Sequence, residues 1–156
     1  MRIEFGKLIC NIAKKDKKVI LLVGDIGYRV FDDYRRLFPK RFYNLGICEQ
    51  SLIGVASGLA LEGLRPWVYT ITPFLIERPF EQIKLDIDQQ KANVKLVGYA
   101  DYPTLGPTHA EINGEKMMSL FKNIKSFFPK NIKETRTAVL KSYKNNGPNF
   151  ISLKSI

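Results

Sequence analysis

Glu49 and His109 are the two side chains whose positions invite a chemical reading. Glu49 lies within the stretch NLGICEQSLIGVASGLALEG (44–63), where an ionisable group precedes a nearly unbroken run of small and apolar residues. His109 is the only histidine in the chain and follows a Gly/Pro-rich segment, Ala100–Thr108. A carboxylate and an imidazole are common general acid–base groups when a fold aims them at a substrate. Each also has a plainer reading. Glu49 could simply complement a helix dipole, worth about 0.3–1 kcal/mol, and a lone histidine could be packed or solvated. Phe74 reads as a core aromatic or as a flat surface for stacking. Asp25, within Gly24-Asp25-Ile26-Gly27, could reach a cofactor or cap the next turn. Arg78 and Glu81, three apart, read as a salt-bridged helix pair.

The elements that must carry these residues follow from hydrophobic periodicity. Helices are expected over Arg2–Lys14, Phe31–Phe38, Cys48–Leu61, Ile76–Gln90, Asn113–Leu120 and Asn131–Tyr143. Asn113 and the Asn131/Glu134 pair supply caps, Gly63 ends the third helix, and Pro79 fits only a first turn. Strands are expected at Val19–Val23, Phe42–Leu45, Trp67–Thr70, Val94–Tyr99, Lys125–Phe128 and Phe150–Leu153, with a turn around Pro73. The continuous apolar run VILLV is the mark of a strand buried on both faces. This alternation predicts an α/β three-layer sandwich, a mainly parallel sheet of about six strands with helices on both faces, as one domain over 1–156. Ligands in such sheets gather beyond the strand carboxyl ends. The loops there are Gly24–Gly27, Gly46–Gln50, Thr70–Phe74 and Ala100–His109. The Glu49 helix, with Gly54/Gly58 and Ala56/Ala60 at spacings of four, is apolar almost all round and is expected to be central and packed on several sides.

Composition is ordinary for a globular chain, with 45% apolar and 26% charged residues, but the net charge is +10. Lysines cluster at Lys14, Lys15, Lys17 and Lys18 and again at Lys130, Lys133, Lys141 and Lys144. They read as a solvated face, or as a basic rim for a phosphorylated substrate or an acidic partner. No nucleic-acid motif accompanies them. The apolar run near Gly54 is too short to span a bilayer, and the N-terminus does not read as a signal peptide. Cys10 and Cys48 form neither a framework nor a CxxC pair, so a reducing, cytoplasmic setting is the simplest.

The segment GICEQSLIGVASGLALEGLRPWVYT strongly resembles the pyrimidine-binding domain of transketolase-like thiamine-diphosphate enzymes. LLVGDIGYRVFDDYRRLFPKRFYN upstream, PFLIERPFEQIKLDIDQQKANVKLVG downstream, LGPTH and GPNFISL are similar to further family segments in the same order, so the resemblance covers nearly the whole chain. It implies that Glu49 is the catalytic carboxylate on N1′ of the cofactor's aminopyrimidine and that Phe74 stacks on that ring. It also implies that His109 contacts the sugar. Asp25 and Gln50 stand as further cofactor contacts and Arg78 as a substrate contact. One departure is Leu105, where transketolases often carry an Asp that reads a substrate hydroxyl.

The family's diphosphate half, with Gly-Asp-Gly and a later Asn-Asn holding Mg²⁺, has no counterpart here. Gly24-Asp25-Ile26-Gly27 lacks the Asn pair, and Asn145-Asn146 reads as a turn. The resemblance therefore implies half of a site. A diphosphate-binding transketolase subunit would bring Mg²⁺ and complete a hetero-oligomer such as a heterotetramer; the alternative is a stretch of a longer protein. The expected function is two-carbon ketol transfer on sugar-phosphate or nucleotide-sugar substrates with thiamine diphosphate. A thiamine-dependent decarboxylase, a deoxysugar-phosphate synthase subunit and a non-catalytic interaction subunit are the competing readings.

Overall fold

The computed structural model describes residues 1–99, 105–110 and 113–153. Its centre is a six-stranded, all-parallel sheet in the order β2-β1-β3-β4-β6-β5. The strands are β1 (Val19–Val23), β2 (Phe42–Asn44), β3 (Arg65–Ile71), β4 (Lys95–Tyr99), β5 (Lys125–Phe127) and β6 (Asn149–Leu153). Alternate residues face opposite layers. Leu21, Trp67, Tyr69, Val97 and Ile151 pack under α1 (Arg2–Lys15), α2 (Asp32–Leu37) and α7 (Ile132–Lys144). Ile20, Leu22, Val68, Leu96 and Phe150 pack under the other layer. That layer holds α3 (Glu49–Leu61), α4 (Thr72–Ile76), α5 (Phe80–Gln82) and α6 (Gly114–Ser119). The expected three-layer α/β sandwich is therefore the fold observed.

From β1 the chain first moves outward to β2 and then crosses to β3 on the other side of β1. That reversal opens a crevice at the carboxyl ends of β1 and β3, the place where open α/β sheets take ligands. Thr70 and Gly24 meet there: a Cβ on Gly24 would lie 3.0 Å from Thr70 Oγ1.

Most element boundaries agree with the periodicity to within two residues. Asn113 Oδ1 accepts from Lys116 N and Asn131 Oδ1 from Glu134 N, both at 2.9 Å. The Glu134 carboxylate accepts from Lys130 N and Asn131 Nδ2 rather than from the Asn131 backbone N–H. Gly63, at φ +79°, ends α3 by donating to Ala60 O.

Two expectations fail. The single helix Ile76–Gln90 is broken. Pro73 sits in the first turn of α4 instead of making a turn, residues 77–79 are non-helical, and α5 runs on as wide π-type turns over Ile83–Gln89. Pro79 causes the break, because it lacks an N–H and disfavours helical backbone at the residue before it. The second concerns α3, which is not packed on all sides within this chain. Leu52, Ile53 and Ala56 are buried, but Gly54, Val55 and Gly58 are exposed, and nothing lies within 4 Å of where a Cβ on either glycine would sit.

Candidate active site

Glu49 enters the crevice because α3 begins immediately after the β2 loop. Leu45 N donates to Val23 O at 3.0 Å and Cys48 Sγ to Leu45 O at 2.8 Å, which brings the first turn of α3 to the sheet end. The Glu49 residue is 2% exposed. A buried carboxylate needs a partner, and Arg78 supplies it: Nη1 lies 3.1 Å from both Oε1 and Oε2. Arg78 thus pairs with Glu49 across the fold and not with Glu81 in its own segment, which corrects the helix-pair reading.

The same guanidinium lies over Phe74, its Cζ 3.5 Å from the ring centroid, a stacked cation–π contact. Phe74 comes from α4, which is seated by a close approach to β4: a Cβ on Gly98 would be 2.5 Å from Thr72 Oγ1. The His109 ring meets Phe74 edge-on at 4.8 Å between centroids, and Thr108 Oγ1 lies 3.1 Å from His109 Nδ1. Glu49, Arg78, Phe74 and His109, from three separate stretches, form one continuous line of contacts. His109 lies on a short turn, Pro107–His109. Leu105 is 63% exposed, while residues 100–104 of the expected loop fall outside the described residues.

Asp25 stands apart from that line. Its backbone is left-handed, at φ +53°, and it is held by Asn44, a residue to which sequence spacing assigns no role. Asp25 N donates to Asn44 Oδ1 and Asn44 Nδ2 to Asp25 Oδ1, each at 3.0 Å. Gly46 N also donates to Asn44 Oδ1 at 3.0 Å, so one asparagine ties the β1 loop to the loop that launches α3. The only signal for it is its place at the end of FPKRFYN. Arg41 of the same stretch donates to Ala13 O and Asp16 O, both at 3.0 Å, closing the end of α1. Gln50 is exposed and takes no part in the Glu49–His109 line.

Beside Asp25 lies a hollow of about 690 Å³ whose lining includes Arg2, Arg29, Arg35, Asp25 and Asn44. Among the described residues none of these three arginines forms a salt bridge. The lysine clusters do not surround it. Lys14, Lys15, Lys17 and Lys18 precede Val19 and so lie at the opposite end of the sheet, where they are solvated. The cationic rim here is arginine, contributed by α1 and by the loop and helix after β1.

Over residues 1–155 the chain matches the family model described as transketolase, pyrimidine binding domain. It is 41% identical over 119 residues to one subunit of the apulose-4-phosphate transketolase of Actinobacillus succinogenes, covering 74% of this chain and 38% of that protein. It is 33% identical over 153 residues to the 1-deoxy-D-xylulose-5-phosphate synthase of Oleidesulfovibrio alaskensis, covering 92% of this chain and 23% of that protein. A solved structure described as a split gene transketolase, inactive beta4 tetramer, has a TM-score of 0.87 at 32% identity, over 97% of this chain and 50% of that one. The chain spans less than half the length of these curated relatives. Among the described residues no helix is long and apolar enough to cross a membrane. By the extent of the match and the order of its elements, the chain belongs to the transketolase pyrimidine-binding domain family.

Proposed function

We propose that this chain is the pyrimidine-binding subunit of a split transketolase-like enzyme that moves a two-carbon ketol unit between sugar phosphates with thiamine diphosphate. The observation that carries the reading is a buried carboxylate and an aromatic face placed so that one planar, cationic group touches both: Arg78 on Glu49 and on Phe74. An aminopyrimidine is also planar, and its ring nitrogen N1′ can share a proton with a carboxyl group, so these residues fit it. When bound, the cofactor supplies a nucleophilic thiazolium carbon and an electron sink. Glu49 holds a proton at the ring nitrogen N1′, Phe74 fixes the ring plane, and His109 presents an imidazole on the substrate side. Arg2, Arg29 and Arg35 offer charge for a substrate phosphate.

The diphosphate and Mg²⁺ fall to a partner subunit or to the remainder of a longer chain. Asp25, the one acidic residue in the Gly24–Gly27 loop, is engaged by Asn44. Among the described residues no group of three or more His, Cys, Asp and Glu is placed to hold a metal. The exposed Gly54, Val55 and Gly58 face of α3 is a surface for another chain to cover, in keeping with a hetero-oligomer. Cys10 and Cys48 are unpaired, which supports a cytoplasmic setting.

The test is reconstitution with a diphosphate-binding subunit and assay of ketol transfer from a ketose phosphate. Glu49→Gln should lower turnover by about 10²–10⁴-fold, and near-normal turnover would sink the role. Leu105 favours keeping a second reading, a deoxysugar-phosphate synthase, because it cannot hydrogen-bond a substrate hydroxyl. Product analysis with a 2-oxo acid donor separates the two.

A further inference from the structure

The Arg78 side chain satisfies both groups that the proposed function reserves for the cofactor ring. Its Nη1 reaches the two oxygens of Glu49 at 3.1 Å, and its guanidinium carbon lies 3.5 Å from the centre of Phe74. At 3.5 Å two flat groups are in van der Waals contact, so no other ring fits against that face of Phe74 while Arg78 is there. The Glu49 side chain is only 3% exposed, whereas the arginine side chain is 34% exposed. Arg78 is therefore the solvent-facing member of the pair, the side chain with room to turn outward. Its backbone assists, because residues 77–79 lie between α4 and α5 and belong to neither helix.

We infer that Arg78 is a displaceable place-holder for the aminopyrimidine. It stacks and pairs where the ring is to stack and pair, keeps the buried Glu49 charge satisfied before the cofactor arrives, and must swing outward for the ring to enter. This rests on the function proposed above. A guanidinium does both jobs because it is flat, weakly hydrated and rich in donors. A lysine in its place would keep the charge without the flat stack.

The consequence is a competition that does not need turnover to be seen. A latch closed nine-tenths of the time weakens apparent affinity about tenfold. The probe is 4-amino-5-hydroxymethyl-2-methylpyrimidine, titrated to millimolar concentration into the full chain and followed by NMR shifts of the backbone amides near Glu49. Arg78→Met, checked for folding by its thermal transition, should bind the probe about tenfold tighter than wild type. Equal or weaker binding by the variant overturns the inference while leaving the proposed function standing. No shift in either protein overturns the inference, because a ring that does not enter displaces nothing, and leaves the function to the reconstituted assay. Phenylglyoxal labelling of wild type gives an independent reading that needs no variant. Arg78 should be modified faster with the probe present, and protection of Arg78 by the probe would mean that the arginine clamps the ring instead of yielding to it.

Discussion

Asn44 holds Asp25 through reciprocal hydrogen bonds, backbone to side chain and side chain to side chain, each 3.0 Å long. The pair keeps a non-glycine residue in left-handed backbone at φ +53°, a conformation that persists only where its surroundings enforce it. Asn44→Ala removes the acceptor for two backbone N–H groups and the donor to Asp25. Because the pair is exposed, the expected loss is modest, about 1–2 kcal/mol. A urea titration checks it, and an unchanged midpoint would show that Asp25 keeps its conformation without Asn44.

The Glu49–Arg78 pair should show an asymmetry. Arg78→Met leaves a buried carboxylate without its partner, and partial solvent access to the arginine limits the cost to about 1–2 kcal/mol, below the ~3–5 kcal/mol of a fully buried pair. Adding Glu49→Gln should recover most of it, since an amide is cheaper to bury than a charge. A double-mutant cycle measures the coupling; strictly additive losses would show that the two side chains do not support each other.

Gly98 governs Phe74 from a distance. A Cβ at Gly98 would meet Thr72 Oγ1 at 2.5 Å, Cα at 3.0 Å and Cβ at 3.1 Å. Gly98→Ala is expected to cost about 1–3 kcal/mol and to displace α4, weakening pyrimidine binding without touching the ring. Thr72→Ala removes only the first of these clashes, so the double variant should recover the loss in part. Thermal unfolding of the three variants tests the order.

Lys95 is buried at the start of β4, its Nζ 2.8 Å from Asn145 O, 2.5 Å from Gly147 O and 2.9 Å from Asn149 Oδ1. Burial, with the Arg65 charge second, lowers its pKa from 10.5 to about 7. Below that value the folded and unfolded chains both carry the proton. Between it and 10.5 the unfolded chain holds a proton that the folded chain has shed, so stability rises with pH. Relative to Lys95→Met, wild type should gain at most about 1.4 kcal/mol per pH unit across that window. Urea midpoints at about pH 6, 8 and 9.5, below and inside the window, test this. A constant difference would mean that the three oxygens hold the ammonium at its ordinary value.

The layers and strand positions are legible in the sequence because each strand is short, apolar and bounded by turn residues, and because burial on both faces leaves a continuous run such as VILLV. The break at residues 77–79 is legible only in part. Apolar spacing continues across it, and what decides it is the backbone restriction at Pro79. Glu49, Phe74 and His109 can be named from the chain and meet in space, but the link between them cannot be foreseen. Arg78 and Glu81 satisfy the helical spacing rule, yet a buried charge outweighs an exposed neighbour, and Glu49 lies 29 positions away. Asn44 escapes notice because an asparagine at a strand end has no pattern of its own; its role exists only once the β1 and β2 ends are side by side.

The sheet has two rims, β2 and β5, and each is only three residues long. A strand that short exposes too few free N–H and C=O groups to recruit a neighbour by main-chain pairing. Assembly with any other chain is thereby steered away from a continuous sheet running through the complex. Contact with another chain is then left to side chains, such as the exposed Val55 of α3, rather than to a backbone that any sequence could copy.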